Sequence, residues 1–134
     1  MIEFKKKVLG ILMIYLVVDD SKMARKMTIK SLKSIISQEF EVYEAVNGKE
    51  AVELYQTHTP DLCFMDLTMP VMNGFEATQS ICDFDEDANI VVVSADIQEH
   101  AVEKAKEAGA IGFIKKPVDP ETLKSMLDGL DLLS

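Results

Sequence analysis

The chain has 134 residues, 48% of them hydrophobic, and carries 14 Lys+Arg against 23 Asp+Glu, a formal net charge of −9. That length suits one domain with one core, and that apolar content excludes global disorder. The acidic balance argues against nucleic acid or an anionic membrane surface as a partner, and is compatible with a bound cation or a basic protein.

Lys5-Lys6-Lys7 followed by the apolar run from Val8 to Val18 has the outline of a signal peptide. The run is shorter than the roughly 20 apolar residues that span a bilayer as a helix. No small-residue cleavage motif follows it, and it ends in Asp19-Asp20. The expectation is a cytoplasmic protein without membrane insertion. Residues 1–12 read as an N-terminal extension of unknown role, and 13–134 as the domain.

Ile14-Tyr15-Leu16-Val17-Val18 is apolar and rich in β-branched residues, which predicts a buried strand. Asp20 or Ser21 caps a helix over about 22–37. Ala24, Met27, Ser31, Leu32, Ile35 and Ile36 form its inward stripe, with Lys and Arg on the other side. Glu41 to Ala45 alternates polar and apolar, the pattern of a strand nearer a sheet edge. Asn47-Gly48 turns the chain into a short helix from Lys49 to about Thr57. Leu62-Cys63-Phe64-Met65 then runs straight into Asp66. An unbroken apolar run of this kind belongs to a central parallel strand, buried on both faces.

Pro70 and Asn73-Gly74 break the chain before a helix from Phe75 to about Cys82. Asp83 to Asp87 reads as a solvated acidic connection rather than a second metal site. Ile90-Val91-Val92-Val93 is another buried strand, ending at Ser94-Ala95-Asp96. Ile97 to Ala108 is a helix closed by Gly109. Ile111 to Ile114 is a fifth strand, running into Lys115-Lys116-Pro117. Asp119 caps a last helix with Pro120 at its first position. Cys63 and Cys82 have no metal spacing and read as reduced thiols. His58 and His100 read as surface residues.

Five strands alternating with five helices predict a parallel sheet covered on both faces, with right-handed crossovers. The carboxyl ends of parallel strands share one edge, where ligands bind. That edge gathers Asp19, Asp20, Asp66, Ser94 and Lys116. Three carboxylates together resist full ionisation. A divalent cation and one lysine balance their charge. Oxygen donors without His or Cys suit magnesium, with manganese as an alternative. A carboxylate can take a phosphoryl group as an acyl phosphate, with a cation, a lysine and a hydroxyl countering the charge on its oxygens.

The motifs Val17-Val18-Asp19-Asp20-Ser21, Met65-Asp66-Leu67-Thr68-Met69-Pro70-Val71-Met72-Asn73-Gly74, Val93-Ser94-Ala95-Asp96 and Lys116-Pro117 resemble, as a set, the receiver domain of two-component response regulators. The resemblance covers about 13–132. It implies a flavodoxin-like α/β fold: a doubly wound, five-stranded parallel sheet in the order 2-1-3-4-5. It implies Asp66 as phosphoacceptor, and Asp19, Asp20, Asp66 and the Thr68 backbone carbonyl as metal ligands. Lys116 and Ser94 would stabilise the phosphoryl group, and Ser94 and Phe113 would form the switch. Thr68 and Asp96 would tune its lifetime, and the Lys116–Pro117 bond would be cis.

The implied partners are a histidine kinase or phosphotransfer protein, and an output protein bound at the last two helices and the strand between them. No output domain follows in the sequence, so the signal is expected to pass by partner binding, as in chemotaxis-type regulators or phosphorelay shuttle proteins. The competing readings are a magnesium-dependent phosphohydrolase, a binding module that has lost phosphorylation, and a flavin-binding protein of the same architecture. Thr68 stands where such a hydrolase has a second Asp. No acidic-pair residue, acceptor or lysine is missing, as it usually is in a degenerate receiver. Asp19-Asp20 would repel a flavin phosphate.

Overall fold

In the computed structural model, which describes residues 11–95 and 98–130, strands and helices alternate from end to end. The elements are β1 (Met13–Val18), α1 (Lys22–Ile35), β2 (Phe40–Ala45), α2 (Gly48–His58) and β3 (Leu62–Asp66), then α3 (Gly74–Phe84), β4 (Ile90–Ser94), α4 (Glu99–Ala108), β5 (Gly112–Lys115) and α5 (Pro120–Gly129). All strand pairs are parallel, and the sheet order is β2-β1-β3-β4-β5. This is the doubly wound, flavodoxin-like arrangement that the alternation and the motifs predict.

Every residue of β3 and β4 is buried, whereas β2 buries only Ala45 and leaves Glu41 and Glu44 exposed. The central strands have helices on both faces and need apolar side chains on both. The edge strand needs them on one. On one face, Tyr15, Val17, Phe64, Val91 and Ile114 pack with Leu32 of α1 and with Leu123 and Leu127 of α5. On the other, Leu16, Val18, Cys63 and Met65 pack with Ala51 and Tyr55 of α2 and with Ala77 and Ile81 of α3. A smaller group of Leu67, Val92 and Ala105, with Phe75, Ala110 and Phe113 against it, seats α4. Four helices start on side-chain caps: Ser21 for α1, Asn47 for α2, Asn73 for α3 and Asp119 for α5, each accepting the backbone N–H three residues on.

Several local readings change. α1 ends at Ile35, not Ser37. Its buried face is Thr28, Ser31 and Leu32, while Met27 is left 41% exposed. β5 begins at Gly112, with Ile111 exposed. α3 runs on to Phe84, so Asp83 and Phe84 of the supposed acidic connection are helical, and Asp85 accepts the Tyr55 hydroxyl at 2.7 Å. His58 is not a plain surface residue: its ring stacks on Tyr43 at 3.7 Å between centroids. Asp96 lies outside the described residues, as do 1–10 of the N-terminal extension.

Candidate functional site

The strand register sets the site. Val18 is level with Met65 and with Ala45, Asp66 with Val93, and Ser94 with Lys115. Asp19, one residue past β1, therefore lies level with Asp66. Lys116, one residue past β5, lies beside Ser94. Two backbone bonds carry the ladders one step further: Asp19 N donates to Ala45 O at 3.1 Å, and Lys116 N donates to Ser94 O at 2.9 Å. Side chains from four elements are thus fixed at one edge by main-chain bonds rather than by their own contacts.

Carboxylate oxygens of Asp19, Asp20 and Asp66 all lie within 4.8 Å of one another. Lys116 Nζ reaches into the group, 2.7 Å from Asp19 Oδ2 and 3.0 Å from Asp66 Oδ1. Asp19 and Asp66 are buried and Asp20 is exposed. Burial pushes the Asp66 carboxyl above the ordinary aspartate range; Asp19 and Asp20 push the same way, while Lys116 opposes them. Burial pulls the Lys116 ammonium down, but its bonds to Asp19 and Asp66 outweigh this and hold it above the usual lysine value. One ammonium facing three carboxylates leaves the cluster short of positive charge. The donor set is oxygen alone, the kind a hard divalent cation such as magnesium takes. These residues therefore fit a magnesium ion.

Ser94 is buried at the end of β4. Phe113, two residues before the end of β5, is half-buried against the group around Leu67, Val92 and Ala105. Thr68 is exposed on the loop after Leu67, and the Lys116–Pro117 peptide bond is cis. A cleft of about 320 Å³ opens beside Asp19 and Lys116, walled by Met23, Met27 and Val118.

Two features of the site were not read from the sequence. The first is Gly74. A Cβ there would collide with the carbonyl oxygen of Asp66 and the Cα of Leu67, and Gly74 N donates to Leu67 O at 3.0 Å. The first turn of α3 thus rests on the backbone that carries Asp66. An Asn-Gly pair signals only a turn. The second is Arg25, which the helical stripe assigned to the solvent side. Its side chain is only 11% exposed and bonds the Asp19 carbonyl and Glu44.

A parallel 2-1-3-4-5 sheet with acids at the ends of β1 and β3 and a lysine after β5 defines a class: flavodoxin-like domains built around an acidic, cation-accepting edge. Residues 15–128 match the sequence model of the response regulator receiver domain, and the chain belongs to that family, which serves two-component signalling. It is 43% identical over 117 residues to the chemotaxis protein CheY of Halobacterium salinarum, covering 86% of this chain and 94% of that protein. It is 44% identical over 115 residues to the chemotaxis protein CheY of Thermotoga maritima, covering 84% and 92%. Among solved structures it resembles a CheX–CheY–BeF3–Mg2+ complex from Borrelia burgdorferi, with a TM-score of 0.82, 31% identity, and 92% and 93% of the two chains covered. Among the described residues, no helix is long and apolar enough to cross a membrane.

Proposed function

We propose that the chain is a phosphoacceptor switch of the cytoplasm, taking a phosphoryl group from the phosphohistidine of a kinase or phosphotransfer protein onto Asp66. The observation that carries this reading is the convergence of Asp19, Asp20 and Lys116 on Asp66. Asp19, Asp20 and Asp66, with the Thr68 carbonyl, would hold magnesium or manganese. When bound, the ion supplies positive charge for oxygens that cannot otherwise be crowded together. An Asp66 carboxylate oxygen attacks phosphorus in line, the P–N bond to the donor imidazole breaks, and the electron pair leaves with that ring. Lys116 lies 3.0 Å from Asp66 Oδ1 and meets charge on the incoming oxygens. The cleft beside Asp19 and Lys116 gives the donor's side chain an approach.

The acyl phosphate then biases two packings of the domain. Ser94 turns its hydroxyl to the phosphoryl group, and Phe113 follows into the space near Leu67 and Val92. Phe113 has no hydroxyl, so the surface of α4, β5 and α5 is read by packing. Thr68 and Asp96 set how long the group stays. The domain catalyses only its own phosphorylation and dephosphorylation, and an output protein binds the α4–β5–α5 face. Chemotaxis is the pathway that the CheY relatives favour.

The test is acetyl phosphate with magnesium, followed by intact-mass measurement. The wild-type chain gains one phosphoryl group and Asp66→Asn gains none. Equal labelling of the folded variant would remove Asp66 from the role. Sustained turnover of small phosphate esters would favour a hydrolase instead.

A further inference from the structure

Arg25 closes the first turn of α1, where Lys22 also stands and no acidic residue does. Cations at a helix N-terminus oppose the helix dipole, so the helix itself supplies no reason for them. Arg25 is nonetheless drawn down against the protein and makes two directed bonds. Nη1 donates to the backbone carbonyl of Asp19 at 2.8 Å, and Nε donates to Glu44 Oε1 at 2.9 Å.

The carbonyl it holds belongs to the peptide unit that joins Asp19 to Asp20. The other polar groups of Asp19 are already committed. Its N–H goes to Ala45 O, Oδ1 accepts Ser21 N at 2.9 Å, and Oδ2 faces Lys116. Asp20 is exposed, so its direction follows from the backbone that carries it. The Arg25 bond therefore holds the peptide plane that joins the two acidic residues. It does so without occupying a carboxylate oxygen. Glu44, level with Val17 in the ladder, balances the guanidinium charge and fixes the fork from the end of β2.

We propose that Arg25, braced by Glu44, is a positioning residue for divalent-cation binding. It orients the Asp19–Asp20 peptide so that both carboxylates meet the cation together with Asp66. This rests on reading the acidic cluster as a cation site. Groups that orient metal ligands typically contribute 10–100-fold to affinity, whereas a bystander cation beside three carboxylates would weaken binding by repulsion. The two roles predict opposite signs.

Mn2+ binding to the full chain, read from the electron paramagnetic resonance of the free ion, separates them. Arg25→Gln should weaken binding about tenfold. Arg25→Lys should weaken it nearly as much, because an ammonium keeps the charge but not the fork that serves two acceptors. Glu44→Gln retains an acceptor for Nε and should lose less than about threefold, as expected at an exposed pair. Thermal unfolding shows that each variant is folded at the assay temperature. In acetyl phosphate labelling, Arg25→Lys should raise the half-saturating Mg2+ concentration about tenfold and leave the rate at saturating Mg2+ unchanged. Tighter or unchanged Mn2+ binding by folded Arg25→Gln or Arg25→Lys would overturn the proposal. So would a lower saturated rate at unchanged half-saturation. A wild-type chain that binds no Mn2+ overturns the cation site and this proposal together. One that binds Mn2+ but is never labelled overturns only the phosphoacceptor reading, and the binding comparison still decides the role of Arg25.

Discussion

Two aspartates frame β3, five residues apart, and both are buried. Asp61 precedes the strand at its amino edge and Asp66 ends it at the carboxyl edge. Asp61 is absorbed by the main chain: its Oδ2 accepts Ile14 N at 2.8 Å, its own N–H donates to Ile14 O at 2.8 Å, and its carbonyl accepts Asn89 Nδ2 at 3.1 Å. It fastens β1 to β3 and faces backbone dipoles. Asp66 faces a lysine and two further carboxylates. Burial alone therefore does not mark a functional carboxylate. What marks it is charge that its surroundings leave unbalanced.

The largest effect separates the two by chemistry. Asp61→Asn keeps an acceptor for Ile14 N and should be labelled by acetyl phosphate at the wild-type extent, where Asp66→Asn shows none. If folded Asp61→Asn also loses labelling, the division between a fastening and a reacting aspartate fails.

Next in size is Gly74→Ala. Its methyl would strike the Asp66 carbonyl, and two main-chain segments cannot move apart as a side chain can. The expected loss is about 3 kcal/mol in urea unfolding, at the upper end for overpacking. Asp61→Ala should follow at about 1.5 kcal/mol, because it removes the side-chain acceptor of the part-buried Ile14 N–H. A wild-type unfolding midpoint for Gly74→Ala would mean that α3 does not rest on the Asp66 backbone.

A smaller effect of opposite sign is expected in the loop after Asp66. Val71 has φ 69°, with Met72 N donating to Pro70 O across it at 2.8 Å. A β-branched residue in the left-handed region is strained. Val71→Gly should stabilise by about 1 kcal/mol, less than the full relief because glycine loosens the unfolded chain. A loss of stability would show that the strain is not there.

The smallest expected effect is on pH. Burial raises the pKa of the Asp66 carboxyl above its ordinary value of 3.8. Its contribution is thus fully present below pH 3.8 and is lost as pH rises through the raised folded value. Without a divalent cation, Asp66→Asn should be more stable than wild type at pH 7 and lose that advantage below pH 3.8. Added Mg2+ should stabilise wild type but not Asp66→Asn. An advantage that grows on acidification would reverse the sign and the argument.

The elements themselves were legible. The runs Ile14–Val18, Leu62–Met65 and Ile90–Val93 are apolar on both alternations, and only strands between two helical layers need that. The candidate site was legible for the same reason, since acids and a lysine placed at strand ends must meet once the strands are parallel. Arg25 and Gly74 were not legible. An arginine in an amphipathic helix reads as solvated unless the neighbouring strand end is known to approach it. A glycine after asparagine reads as a turn unless the backbone behind it is seen. Met27 and Arg25 exchange their expected environments because α1 packs on β1 by its Thr28, Ser31 and Leu32 face, a rotation that periodicity does not fix.

The sequence by itself determined the alternation, the sheet class, and the residue types at the strand ends, because these follow from local chemistry and from the few topologies that right-handed crossovers allow. Only the tertiary structure decided the register that sets Asp19 level with Asp66, the reach of Lys116 to both, the seating of Gly74 on the Asp66 carbonyl, and the bond from Arg25 to the peptide between the acidic pair. Each of these joins residues distant in sequence or opposite in expected exposure. Their energy depends on ångström-scale distances that exist only once the layers have packed.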